Sequence, residues 1–413
     1  MLRAWRLARP LVDYLFLYIA LYAGWGVLSP FLPAVLARQG GSAEEIGTLL
    51  AVAMVVRLIA VPAAGLVADR LGAPRLILMV LLLAAAGLSL GYGAAGGFTG
   101  LLLVSAAHAA ATGPIGPLPD ALAVPAAAAP GGRGFSYGWV RGAGAAAFVV
   151  GSTLAGLAAA GAGTPNVVLP LNAALFALAA AAVALLPSAG GGAVLAEAAG
   201  HPAGPAMTSA GRIRALLRIS GIHWLLLAAG LITGSHALYT GFATLHWQAA
   251  GLSAGTIGML WSISVAAEVA VFFLLGPFLL ARLGPALLTA LAAGAGALRW
   301  SVMAVTSWLP AMLLVQPLHG LTFAAQHLAA MAVIARLVPG HLAASAQTVY
   351  ASLGTGLVSA VLTWASGLLY ARWGGQGFWP MALLCAAAVP AALALQAELR
   401  RDSDTEEPAA RAG

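Results

Sequence analysis

Apolar and small residues follow one another for about twenty positions at a time along nearly the whole chain, and charged residues gather in the short intervals between these runs. An α-helix rises about 1.5 Å per residue, so roughly twenty such residues cross a hydrocarbon core about 30 Å thick. Twelve runs have that character: 12–36, 46–68, 76–96, 98–123, 136–160, 165–187, 219–246, 256–281, 286–307, 309–337, 342–369 and 377–397. They are continuous, whereas barrel strands alternate apolar and polar residues over about ten positions. The pattern therefore predicts an all-α membrane protein with twelve transmembrane helices, referred to below as helices one to twelve.

The interval between helices six and seven changes in composition. Residues 188–218 turn to Gly, Ala, Ser and Pro and end in Arg212, Arg214 and Arg218, as a flexible cytoplasmic linker would. The expected division is a first six-helix half at 1–187, a second at 219–397, and a short acidic tail at 398–413 that is expected to be disordered. A faint repeat at an offset of 211–212 residues supports two related halves. Arg70-Leu-Gly72 recurs as Arg282-Leu-Gly284, and Leu103-Val104-x-x-x-His108 recurs as Leu314-Val315-x-x-x-His319. Gly156 answers Gly367, and Arg57 of helix two answers Glu268 of helix eight. Parallel halves of this kind occur in transporter folds, with substrate held near the bilayer midplane.

Composition agrees with a membrane protein. Hydrophobic residues make up 62% of the chain, charged residues 8%, and the mean hydropathy is +0.96, a balance that excludes a soluble globular domain of this length. The 19 basic residues are all Arg, and most, including Arg3, Arg6, Arg9, Arg133 and Arg336, fall in intervals on one side, with Arg38 and Arg372 on the other. The positive-inside bias then makes both termini cytoplasmic, and it explains the +7 net charge without any nucleic-acid partner. The first run is expected to stay as a helix rather than be removed as a signal peptide. Cys385 is the sole cysteine, which excludes a disulfide framework and a cysteine-based metal site. No cofactor or metal is expected.

Ionisable residues within the runs are the candidates for chemistry. A charge at the centre of a membrane helix costs roughly 2.5–3.5 kcal/mol on insertion scales, so such groups normally face a partner or a water-filled path. Glu268 is the strongest candidate for carrying a proton, against the alternative of a fixed ion pair that only holds the fold. Arg141 offers a planar, permanently charged match to a carboxylate. Arg299 would serve as a second anion contact, as the charge that modulates Glu268, or as a structural partner. Arg57 is read as structural. Asp120, on a helix interrupted by Pro114, Pro117 and Pro119, is a further proton-coupling candidate able to pair with Arg141. His319, a further proton-coupling candidate, shares one face of helix ten with Phe323 and Gln326 at 100° per residue, His236 with Tyr239 forms a comparable stripe on helix seven, and Phe323, Gln326, His236 and Tyr239 are candidates for lining the substrate site. His108 and His327 are read as packing residues.

The stretch Gly65-Leu-Val-Ala-Asp69-Arg70-Leu-Gly72-Ala-Pro-Arg75 resembles the loop signature of the major facilitator superfamily, G-x-x-x-D-R-x-G-x-x-R. Gly65 would permit close helix contact, Gly72 a tight turn, and Asp69 would sit with Arg70 and Arg75 as counter-charges. The family resemblance implies that this loop gates the cytoplasmic side. Gly234-Ser-His236-Ala-Leu-Tyr239, Trp247-Gln-Ala-Ala-Gly-Leu, Leu298-Arg299-Trp300 and Leu318-His319-Gly-Leu-Thr-Phe resemble the phenylpropionate permease branch, which is related to lactose permease. Tyr137-Gly-x-Val-Arg141 is similar to the lactose permease segment whose Arg binds substrate, and Pro119-Asp120-Ala121 to the segment supplying its acidic partner. Arg299, His319 and Glu268 fall on or near the charged positions of its helices eight to ten. Thr322 stands where that permease has the carboxylate that carries the coupling proton.

The resemblance implies a monomeric alternating-access carrier in the bacterial cytoplasmic membrane, importing a small aromatic acid with a proton. Sugar or nucleoside symport, drug efflux, and a receptor or scaffold role are the alternatives. An enzyme is not expected, since no metal cluster or nucleophile arrangement is present. The G-x-S-x-G match at Gly134 to Gly138 lacks a preceding strand, and 51 glycines make such matches common. Gly87-x-x-x-Gly91 is a helix-packing pattern.

Overall fold

The structure is a computed structural model that describes residues 2–128, 135–186 and 209–411. Arg133, Gly134 and residues 188–208 of the expected linker lie outside the described residues. Among those described, every regular element is helical. Ten helical stretches are long and apolar enough to cross a membrane. Two of them, Ala254–Val305 and Gly340–Arg401, each contain two of the expected helices. Gly284 divides the first with a positive φ of 73°, and Gly374 divides the second with a φ of 54°, so the twelve apolar runs are all helical. Gly72 closes helix two in the same left-handed region, at φ 59°. The two copies of Arg-Leu-Gly thus end in the backbone conformation that a Cβ disfavours.

Local chemistry sets several boundaries. Helix two, Ala43–Leu71, starts at a capping box in which Ser42 and Glu45 bond each other's backbone N–H groups, at 3.2 and 2.8 Å. Helix four breaks into Gly97–Thr112 and Pro117–Ala127 where its prolines withdraw backbone donors. Helix ten passes through a 3₁₀ turn at Gln316–Leu318 and a π-helical turn at Leu321–Ala325 before Gln326–Leu337. Helix twelve runs Phe378–Arg411, where the sequence reading ends it at 397 and leaves a disordered tail. Ala397-Glu398-Leu399-Arg400-Arg401 holds no breaker, and Glu398 is tied to Arg401 at 3.2 Å and to Ser220.

The chain forms two compact units, Met1–Gly200 with Gly241–Ala266, and His201–Thr240 with Ala267–Gly413. The core of the first gathers Leu17, Leu21, Leu78, Leu82, Ile115 and Phe176. Residues 241–266, placed by the sequence reading in the second half, group with the first unit because of helix eight's crossing with helix five. A Cβ on Gly156 would stand 2.5 Å from the Ala254 carbonyl oxygen, and one on Gly258 2.5 Å from that of Ser152. Ser262 bonds Ser152 and Thr153, both at 2.7 Å, and the Val149 carbonyl at 2.8 Å. Small residues bring the backbones together and hydroxyls fasten them. The second unit packs Leu225, Ala229, Ala330, Val333, Ile334 and Leu395 into its main core.

Candidate functional site

The second unit holds a polar cluster built on helices seven to ten. Arg299 lies on helix nine with no exposed surface. One terminal nitrogen, Nη2, donates to Gln316 Oε1 at 2.6 Å, and Nη1 lies 3.0 Å from His319 Nδ1. Its guanidinium carbon sits 4.2 Å from the Tyr239 ring centroid and 4.5 Å from that of Trp300. These aromatic faces contribute about 0.5–2 kcal/mol each and replace part of the lost hydration.

Arginine only donates, so His319 Nδ1 must accept. The neutral imidazole therefore carries its hydrogen on Nε2. That nitrogen lies 3.6 Å from Glu268 Oε2, a separation within ion-pair range and slightly long for a hydrogen bond. Helix eight comes this close because Gly320 follows His319: a Cβ there would stand 2.6 Å from the carbonyl oxygen of Ala267. Glu268, His319, Arg299 and Gln316 thus form one connected chain.

His236 holds the opposite tautomer. Its Nδ1 faces the Ile232 carbonyl at 3.0 Å and must donate, which leaves Nε2 to accept from the Thr322 hydroxyl at 2.9 Å. The hydroxyl also lies 3.2 Å from the His319 carbonyl oxygen, so its one hydrogen has two acceptors. The His236 and His319 rings are 5.4 Å apart. Tyr239, with no exposed surface, lies 6.0 Å from the His319 ring.

The first unit holds a second cluster. Asp120 Oδ1 accepts from the hydroxyls of Tyr18 and Tyr137, the latter at 2.7 Å. Arg141 donates to the Tyr22 hydroxyl and lies 5.1 Å from that ring's centroid. Tyr18, Tyr22 and Trp25 continue along one side of helix one, with Tyr18 and Tyr22 stacked at 5.8 Å and Tyr22 meeting Trp25 edge-on at 4.9 Å.

Comparison with known proteins follows these features. Residues 11–381 match the MFS_1 like family. The chain belongs to that family. It is 34% identical over 385 residues, 89% of this chain and 93% of the other, to a protein of Escherichia coli (strain K12) described as a probable 3-phenylpropionic acid transporter. The fold of this MFS_1 like chain is that of solved transporters. The nucleoside transporter NupG superposes with a TM-score of 0.78 at 18% identity, covering 94% of this chain and 98% of its own. A D-xylose-proton symporter superposes with a TM-score of 0.64 at 15% identity, covering 94% and 96%. The protein is a multi-pass membrane transporter of the major facilitator type that handles a small-molecule substrate.

Several expectations for this MFS_1 like protein need correction. Asp120 is held by tyrosines and Arg141 by Tyr22, so the expected Asp120–Arg141 pair is not formed. Gly65 meets nothing within 4 Å of a built Cβ, nor does Gly87, so neither marks a close crossing. Arg75 donates to the Val183 and Ala184 carbonyls at 3.0 and 3.4 Å, capping the end of helix six, while Asp69 and Arg70 are exposed. On helix ten, His319 and Gln326 are buried, and Phe323, 45% exposed, stacks on the His319 ring at 5.5 Å. His108 is a packing residue bonded to Ser89 at 3.3 Å, and His327 is exposed beside Phe272. Arg57 is exposed, with its stem beside Gly113.

The sequence reading missed Gln316, Trp300, Tyr18 and Tyr22. Gln316 lies three residues before His319, and Tyr18, Tyr22 and Trp25 follow helical spacing, so helical periodicity carried the signal in both cases. Among the described residues no group of three or more His, Cys, Asp or Glu could hold a metal.

Proposed function

We propose that this transporter imports a small aromatic carboxylic acid together with a proton by alternating access. The observation that carries the proposal is the chain Glu268, His319, Arg299. A fully buried guanidinium ordinarily sits against a carboxylate, since desolvating an ion costs several kcal/mol. Gln316 and His319, which take the terminal nitrogens of Arg299, are neutral, and the His319 imidazole in turn faces Glu268. Such a site favours an added anion.

The same contacts link anion to proton. A substrate carboxylate near Arg299 offsets the positive charge that balances Glu268, and a proton on Glu268 then restores neutrality. Binding of either favours binding of the other, as linkage requires. His319, with its tautomer set by Arg299, is the contact through which this change reaches Glu268. His236, Tyr239, Phe323 and Gln326 complete the polar and aromatic surroundings of this cluster. Arg141 is a second carboxylate contact and Asp120 a second proton-binding acid, each within the first unit. The name printed for the Escherichia coli relative favours an aromatic acid. The proposed setting is the cytoplasmic membrane, with both termini cytoplasmic, two six-helix halves at 1–187 and 219–397, and a working monomer.

Proteoliposome flux tests this reading. Radiolabelled 3-phenylpropionate should accumulate when the outside is acidified, and Glu268→Gln should abolish accumulation while exchange across equal pH continues. Loss of both activities together with a lowered melting temperature would instead make Glu268 a structural ion pair.

A further inference from the structure

Helix ten carries a buried polar file that continues past the charged cluster. His319, Thr322 and Gln326 are 9%, 0% and 1% exposed, at spacings of three and four residues. Neither amide atom of Gln326 has a hydrogen-bond partner among the described residues. Thr289 on helix nine is also fully buried, and its hydroxyl is likewise without a partner. A buried amide or hydroxyl left unpaired costs on the order of 1–3 kcal/mol, and ordered water commonly meets such groups where protein does not.

Helix register places the two residues at successive levels of the same helix pair. Helices nine and ten are antiparallel, with Arg299 beside Gln316 and His319, and a Cβ on Gly296 would stand 3.4 Å from Thr322 Cγ2. Continuing that register sets Ala292 level with Gln326, and Thr289 about one turn farther toward Arg282 and Arg336. The file from His319 to Thr289 is then about 15 Å long at 1.5 Å per residue. Ala292, Ala293, Ala325, Ala329 and Ala330 along this stretch are buried, and none extends beyond a methyl group.

We propose that Thr322, Gln326 and Thr289 line a hydrated proton path joining Glu268 and His319 to the end of the unit marked by Arg282 and Arg336. This inference rests on the proton-coupled reading above. Water is the carrier, and the side chains orient it: each hop transfers one proton between neighbouring oxygens, and the amide and hydroxyls turn to reset the file. His236 shares the Thr322 hydroxyl at its start, and the packed helices also carry the titratable groups Arg299, Tyr239, His327, Tyr350 and Cys385, with Glu398 and Arg401 at the far end.

The test uses the full chain in proteoliposomes loaded with a pH-sensitive dye. Proton entry on adding 3-phenylpropionate is recorded beside counterflow of the labelled acid at equal pH. Thr289→Val should keep counterflow but slow proton entry by about tenfold or more, and Thr289→Ser should recover it. Unchanged proton entry in Thr289→Val overturns the path while leaving symport intact. Parallel loss of counterflow and proton entry in both variants overturns it in favour of a packing role. Counterflow without proton entry in the unaltered protein overturns the symport reading and the path with it.

Discussion

At the scale of single residues, opposite solutions to burying a charge occur in the two units. Arg299 is surrounded by aromatic rings and neutral acceptors, whereas Asp120 takes two tyrosine hydroxyls on one oxygen. Asp120→Asn keeps an oxygen for both donors, so it should leave the melting temperature nearly unchanged. Asp120→Ala strands the hydroxyl of Tyr18, which has no exposed surface, and should destabilise by about 1–3 kcal/mol, read as a lower melting temperature in detergent. Equal effects of the two substitutions would contradict this account. The deep acid Glu268 and cations Arg141 and Arg299 were legible as anomalies in apolar runs. Their partners were not, because His319, Tyr22 and Gln316 meet them through helix packing rather than sequence proximity.

At the scale of helices, apolar length determined where each one runs, while glycine positions determined how near two of them come. Gly156 and Gly258 meet backbone on the opposing helix, and carbonyl oxygens cannot rotate aside as a side chain can. Gly258→Val should therefore cost roughly 1–3 kcal/mol through overpacking. Thermal unfolding of the purified protein measures this, and Gly87→Val serves as the control, since open space surrounds a Cβ at Gly87. A comparable loss at both positions would remove the special status of the helix five and eight crossing. The π-helical turn at Leu321–Ala325 is the element least visible beforehand. It results from a change in backbone hydrogen bonding that no periodicity in Leu-Thr-Phe-Ala-Ala announces, and across it Phe323 is stacked on His319 while Gln326 remains buried.

At the scale of the whole molecule, a membrane transporter of the MFS_1 like family must select its substrate by charge as well as shape. If the buried cations recognise a carboxylate, 3-phenylpropionamide should compete with labelled 3-phenylpropionate at least about tenfold more weakly than the unlabelled acid does, the loss of one charge-assisted contact. Equal competition would shift the reading toward a neutral substrate such as a sugar or nucleoside. The chain alone determined that this is a twelve-helix membrane protein of two related parts, because continuous apolar runs satisfy their backbones in hydrocarbon as helices and Arg-Leu-Gly recurs after 212 residues. It also marked the acids and arginines whose burial demands a reason. Tertiary structure alone decided which groups touch, which tautomer each histidine holds, and which amides are left without a protein partner. Those outcomes depend on distances of a few ångströms between residues that can lie 178 positions apart, set by helix crossings that a one-dimensional pattern does not encode.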